Sequence, residues 1–233
     1  LEWLVDAAGL AMNPLLVAIE EVRACSLTSG VGVASLCADC FIERPLVRVS
    51  ESDRSAGMAL LDRLITQASR AGMAVVVVPV LEANAVHHRA EGRALVDALS
   101  PSLARAAALG VRVALESDLP VDDLRSLIDP SPALGVCYDL GNAACQGYDL
   151  AADLRALAGR VAVVHVKDRH RGGPSVPLGE GDANFPAIRD ALRAIHFDGP
   201  LTLETPRGSD PIAAATAQLA FVRHQLEAGV ARS

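Results

Sequence analysis

Val111-Arg-Val-Ala-Leu-Glu116, Val121-Asp-Asp-Leu-Arg-Ser-Leu-Ile128 and Leu134-Gly-Val-Cys-Tyr-Asp139 decide the fold. The first and last are short β-rich runs, each closed by a carboxylate. The middle stretch reads as a short helix. Strand, helix, strand without a hairpin signal is the unit of a parallel sheet.

The same alternation extends in both directions. Upstream, 1–6 reads as a strand, 14–26 as a helix and 32–38 as a strand. A long amphipathic helix covers 52–71, with Leu60, Leu61, Leu64, Ile65 and Ala68 at helical spacing and Gly72 as its stop. The apolar run 73–80 is a strand, 92–109 a helix, and Gly110 stops it. Downstream, helix 150–158, strand 161–166, helix 185–195, strand 201–204 and helix 211–228 complete the series. Seven strands, each followed by a helix, imply right-handed crossovers in a parallel sheet.

Such a sheet either closes into a barrel or stays open and doubly wound. The open form announces itself with a glycine-rich phosphate turn, and neither G-x-G-x-x-G nor G-x-x-x-x-G-K-[ST] occurs. Hydrophobic residues make up 51% of the chain and aromatics only 3%, so small and branched aliphatics must fill a core between helices. The reading is an α/β (β/α)8 TIM barrel, one domain over 1–233. Seven units fall one short of eight. The sequence opens inside a strand at Leu1-Glu2-Trp3, so the first βα unit is expected to be missing from it.

A net charge of −7 disfavours nucleic acid as a partner. No apolar run approaches the roughly 20 residues of a membrane span, and no signal peptide is visible. Five cysteines, an odd count in apolar settings, suit reduced thiols and a cytoplasmic protein. Cys37 and Cys40 form a C-x-x-C; without a second pair they read as two small buried thiols at a strand end rather than a zinc or redox site.

Glu116, Asp139, His165 and Glu204 stand at the C-terminal ends of four successive strands, the face on which such barrels carry their sites. Alternation along 111–116 and 201–204 turns both glutamates away from the apolar positions and toward the barrel axis. Three carboxylates and an imidazole around one centre repel one another unless a divalent cation neutralises them. Mixed oxygen and nitrogen donors suit Mn²⁺, Co²⁺, Fe²⁺ or Zn²⁺. Lys167 shares the parity of His165 and is a candidate substrate or phosphate contact, while Asp168 has the opposite parity and is expected to orient a loop or pair with an arginine. The glycine-rich stretch 172–181 could lie over the site and offer backbone N–H groups to a phosphate. His87 and His88 lie past a strand end in a polar turn and are not assigned a role.

Leu115-Glu-Ser-Asp-Leu-Pro120, Tyr138-Asp-Leu-Gly-Asn-Ala143, His165-Val-Lys-Asp-Arg169, Val176-Pro-Leu-Gly-Glu-Gly-Asp-Ala-Asn-Phe185 and Leu203-Glu-Thr-Pro206, in that order and spacing, resemble the xylose-isomerase-like barrels, the sugar and sugar-phosphate isomerases and epimerases. The resemblance covers nearly the whole chain. It implies a metal held by Glu116, Asp139, His165 and Glu204, with Mn²⁺ foremost and Co²⁺, Zn²⁺, Fe²⁺ or Mg²⁺ as alternatives. It further implies that Arg171 binds substrate oxygens. Asn142 stands where relatives of the ketose 3-epimerase kind usually have a substrate-contacting His, which leaves the substrate and the regiochemistry open. A homo-oligomer, dimer or tetramer, is implied as well.

The chemistry expected is removal of a proton beside a metal-bound carbonyl of a carbohydrate, giving a cis-enediolate, with Glu116 and Glu204 as the proton-moving pair. A lyase or dehydratase on a polyol or glycoside-like substrate, and a non-catalytic sugar-binding barrel, are the alternatives.

Overall fold

A computed structural model of the chain describes residues 1–227. It divides into two compact units, Leu1–Cys137 and the segment from Tyr138 onward.

The first unit is built on parallel strands in chain order. β1 (Glu2–Leu4) pairs with β2 (Ser35–Cys37), β2 with β3 (Val75–Val80), β3 with β4 (Arg112–Ser117), and β4 with the start of β5 (Gly135–Asp139). The helices between them are α1 (Pro14–Val17), α2 (Ile19–Ser29), α3 (Cys40–Glu43), α4 (Glu51–Ala71), α5 (Arg89–Ala108) and α6 (Val121–Ile128). Every residue of β3 is buried, as an apolar run covered on both faces should be. In α4 the Ser50 hydroxyl accepts the Asp53 N–H at the start, and Gly72 turns left-handed (φ 78°) at the end. Of the stripe its spacing predicts, Leu61, Leu64, Ile65 and Ala68 are buried, Leu60 is half-buried, and Gln67 is buried beside them.

Two expectations change here. The helix read over 14–26 is two helices, because Ala18 leaves the helical region (φ −142°, ψ 45°). No proline or glycine marks that break in the sequence. The strand read over 32–38 shortens to Ser35–Cys37.

The second unit holds α7 (Leu140–Gln146), α8 (Leu150–Ala156), β6 (Val161–Val166), a small antiparallel hairpin of β7 (Asp168–Arg169) and β8 (Ser175–Val176), α9 (Phe185–Ala194), β9 (Leu201–Leu203) and α10 (Pro211–Val222). β6 and β9 run parallel, with His165 opposite Thr202 and Val166 opposite Leu203. The Glu204 N–H donates to Val166 O (3.1 Å), which carries the ladder one residue further. The last helix was read to Ala228, which lies outside the described residues.

The sequence reading had neither α7 nor the hairpin. α7 forms because the Asp139 carboxylate accepts the Asn142 N–H and caps it, while Leu140, Ala143 and Ala144 are buried and Gly147 (φ 76°) stops it. Tyr138 anchors the unit from the other side of the chain: its buried hydroxyl donates to Asp153 Oδ2 on α8 (2.8 Å). Burial, and then the Asp153 charge, push the Tyr138 phenol well above its ordinary range. Phe185 and Phe221 meet edge to face at 4.9 Å. Among the described residues no helix is long and apolar enough to cross a membrane.

Candidate metal centre

In the second unit Asp139, His165 and Glu204 converge. One donor atom from each lies within 4.8 Å of the other two. The elements explain why. Asp139 ends β5 and faces opposite to Tyr138, so the phenol packs against α8 while the carboxylate turns to the strand ends. His165 is the fifth residue of β6, and Glu204 follows β9 directly beside it. Asp139 is 5% exposed and His165 1%. The Glu204 side chain keeps 47% of its surface, so the cluster opens to solvent on that side. His165 Nδ1 stands 3.7 Å from Glu204 Oε2.

Lys167 points to the same place as His165, two residues on. Its Nζ lies 3.1 Å from Asp139 Oδ2 and 2.5 Å from Glu204 Oε2. Burial works against the ammonium, but the Asp139 and Glu204 charges outweigh it and hold Lys167 well above its ordinary value. Glu204 is raised from the ordinary carboxylate value: burial pushes it up, the Lys167 ammonium pulls it down, and the Asp139 charge pushes it up again.

The donor set fits a divalent ion. Two carboxylates and an imidazole supply mixed hard and borderline donors. Donors around a common ion, at about 2.1 Å from it, stand about 3–4 Å apart, so the observed spacing needs little movement. The charge that already sits between the two carboxylates, Lys167 Nζ, is a cation.

Asn142 touches this cluster through its backbone, with its N–H on Asp139 Oδ1 (2.9 Å). Its side-chain oxygen accepts from Arg169 Nη1 (3.0 Å), and Arg169 also donates to Gly173 O. Arg169 was not singled out from the sequence, although it continues the parity of His165 and Lys167. Arg171 is exposed. Its N–H donates to Asp182 Oδ2 (2.7 Å), and its guanidinium lies over Gly147.

Asp168 is fully buried and orients the loop. It accepts the N–H groups of Arg169, Gly179, Gly181 and Ala183 at 2.9–3.1 Å. The phosphate role considered for this glycine-rich stretch is therefore corrected: the Gly179 and Gly181 donors are spent on Asp168.

In the first unit Glu116 lies on β4, 6% exposed, opposite Pro79 on one side and Cys137 on the other. Its charge is felt at Cys37, whose thiol is pushed up first by burial and then by Glu116. Cys37 Sγ donates to Asp39 Oδ1 (3.0 Å), and Cys40 is buried, its thiol raised to about 12 chiefly by desolvation. Both are free, buried thiols. His87 and His88 are exposed where the chain enters α5.

The family model of the xylose isomerase-like TIM barrel matches residues 6–225. The L-ribulose-5-phosphate 3-epimerase UlaE of Shigella flexneri serotype 5b is 27% identical over 200 residues, which are 79% of this chain and 69% of that protein. The crystal structure of a xylose isomerase domain protein from Planctomyces limnophilus is 25% identical, with a TM-score of 0.74 over 90% of this chain and 84% of that one. A xylose isomerase-like TIM barrel protein from Mycobacterium smegmatis, solved in complex with magnesium, shares the fold at 20% identity and a TM-score of 0.74, over 92% and 79% of the two chains.

Proposed function

The chain belongs to the xylose isomerase-like TIM-barrel family, and from that premise we propose that it is a divalent-metal-dependent isomerase or epimerase of a sugar or sugar phosphate. The observation that carries this reading is the meeting of Asp139, His165 and Glu204 donor atoms at one point. In this reading residues 1–233 form one barrel domain, which works in the cytoplasm as a homo-oligomer. The L-ribulose-5-phosphate 3-epimerase relative supports a ketose phosphate as the first substrate class to try.

Asp139, His165, Glu204 and Glu116 would hold the ion, with Mn²⁺ the best match to mixed oxygen and nitrogen donors. A bound divalent ion supplies Lewis acidity that polarises a substrate carbonyl and acidifies the neighbouring C–H. Asp139, already fixed as the cap of α7, and buried His165 act as pure ligands. Glu204 moves a proton at the carbon beside the carbonyl. It is suited to that role because it is partly open to solvent and its carboxyl is raised above the ordinary carboxylate value, by burial first. Glu116 is its partner on the other face of that carbon. Lys167, Asn142 and Arg171 bind substrate oxygens.

The test is wash-in of deuterium from D₂O into a panel of ketoses and their 5-phosphates, with the protein supplied with Mn²⁺, Co²⁺, Zn²⁺ or Mg²⁺. Exchange at one carbon with formation of an epimer or an aldose is expected. Loss of water from the product would replace the reading with a dehydratase, and no exchange with any sugar under any metal would overturn it.

A further inference from the structure

The residue that follows Leu140 is Gly141, in the first turn of α7. It is buried, and a Cβ there would overlap the Cβ, Cγ and Cδ of Lys167. The bare α-carbon is therefore the seat on which the lysine stem lies. Seated there, the stem delivers Nζ to Asp139 Oδ2 and Glu204 Oε2. A surface lysine at a strand end needs no such seat, and its side chain would not be only 17% exposed. The Asp-Leu-Gly stretch at 139–141 thus supplies both a metal-ligand carboxylate and the surface that aims a cation at it.

An ion about 2.1 Å from those same two oxygens would stand within a few ångströms of Nζ, where like charges repel. Ammonium and divalent ion compete for one position.

We propose that Lys167 is a built-in counter-ion of the metal centre: its ammonium bridges Asp139 and Glu204 until a divalent ion takes the two carboxylates, and this competition weakens the hold on the ion. The inference rests on the metal-dependent reading above. It makes Gly141 a positioning residue for Lys167.

The test is a calorimetric titration of Mn²⁺ into the protein after treatment with EDTA, for wild type, Lys167→Met, Lys167→Gln and Gly141→Ala. If the bridged arrangement holds about nine-tenths of the molecules, removing the ammonium tightens Mn²⁺ binding about tenfold. Gly141→Ala, which keeps the lysine but takes away its seat, is expected to tighten binding in the same direction. Lys167→Gln keeps a polar side chain in case the methionine form folds poorly. Unchanged or weaker binding in the Lys167 variants overturns the competition while leaving the metal reading in place. Tightening in those variants with none in Gly141→Ala overturns the seating role. Binding by none of the four proteins overturns both the inference and the function it rests on.

Discussion

In the proposed function Glu204 is the residue that moves the proton. Its carboxyl is raised by burial and by Asp139, held down by Lys167, and still reachable from solvent. Replacing it with glutamine keeps the shape and removes the proton-accepting oxygen. Glu204→Gln is expected to lower turnover of the active sugar by about 10²–10⁴-fold, the range of a lost general acid–base group, with an unchanged circular dichroism spectrum. A fall of less than tenfold would assign the proton transfer elsewhere. The thiols give a second prediction at this scale. Cys40 is raised to about 12 and Cys37 well above its ordinary value, so both stay protonated at pH 8, and the thiolate is the reactive form. Exposed Cys25 is expected to take up iodoacetamide in the native protein, and Cys37 and Cys40 only after unfolding, as read by peptide mass spectrometry. Rapid native labelling of Cys40 would restore a redox reading of the C-x-x-C.

Among elements, the segment from the start of β7 to α9 shows how one buried side chain can replace regular structure. It has two short strands, and its backbone donors at Gly179, Gly181 and Ala183 go to Asp168. Asp168→Ala strands those N–H groups and is expected to cost about 3 kcal/mol in urea unfolding. Hydrogen exchange is expected to speed up at those amides first, and equal protection in wild type and variant would show that Asp168 is dispensable. Gly181→Ala is expected to act through the same contact, because its Cβ would overlap Asp168 Oδ1. The helix α7 follows a related logic. Its seven residues are too few for a periodic signal, and Asp139, read from the sequence only as a candidate ligand, also starts it as the cap.

For the whole molecule, an ion that binds only the folded chain must stabilise it. At a hundred times its dissociation constant the gain is about 2.7 kcal/mol. For a chain of this size that raises the thermal midpoint by roughly 5–10 °C. A thermal scan with EDTA against one with excess Mn²⁺ reads this directly, and no shift with Mn²⁺, Co²⁺, Zn²⁺ or Mg²⁺ would remove the metal from the proposed function. The alternation of β-rich runs and helices, and the acids and histidine closing those runs, were legible in the sequence. Both depend on period and order along the chain, and a strand that ends in Asp139 or precedes Glu204 says so locally. Arg169 on Asn142, Asp168 under its loop, and Lys167 seated on Gly141 between two carboxylates were decided only by tertiary structure. Each depends on a distance between residues far apart in sequence, and side-chain reach across a turn leaves no periodic trace.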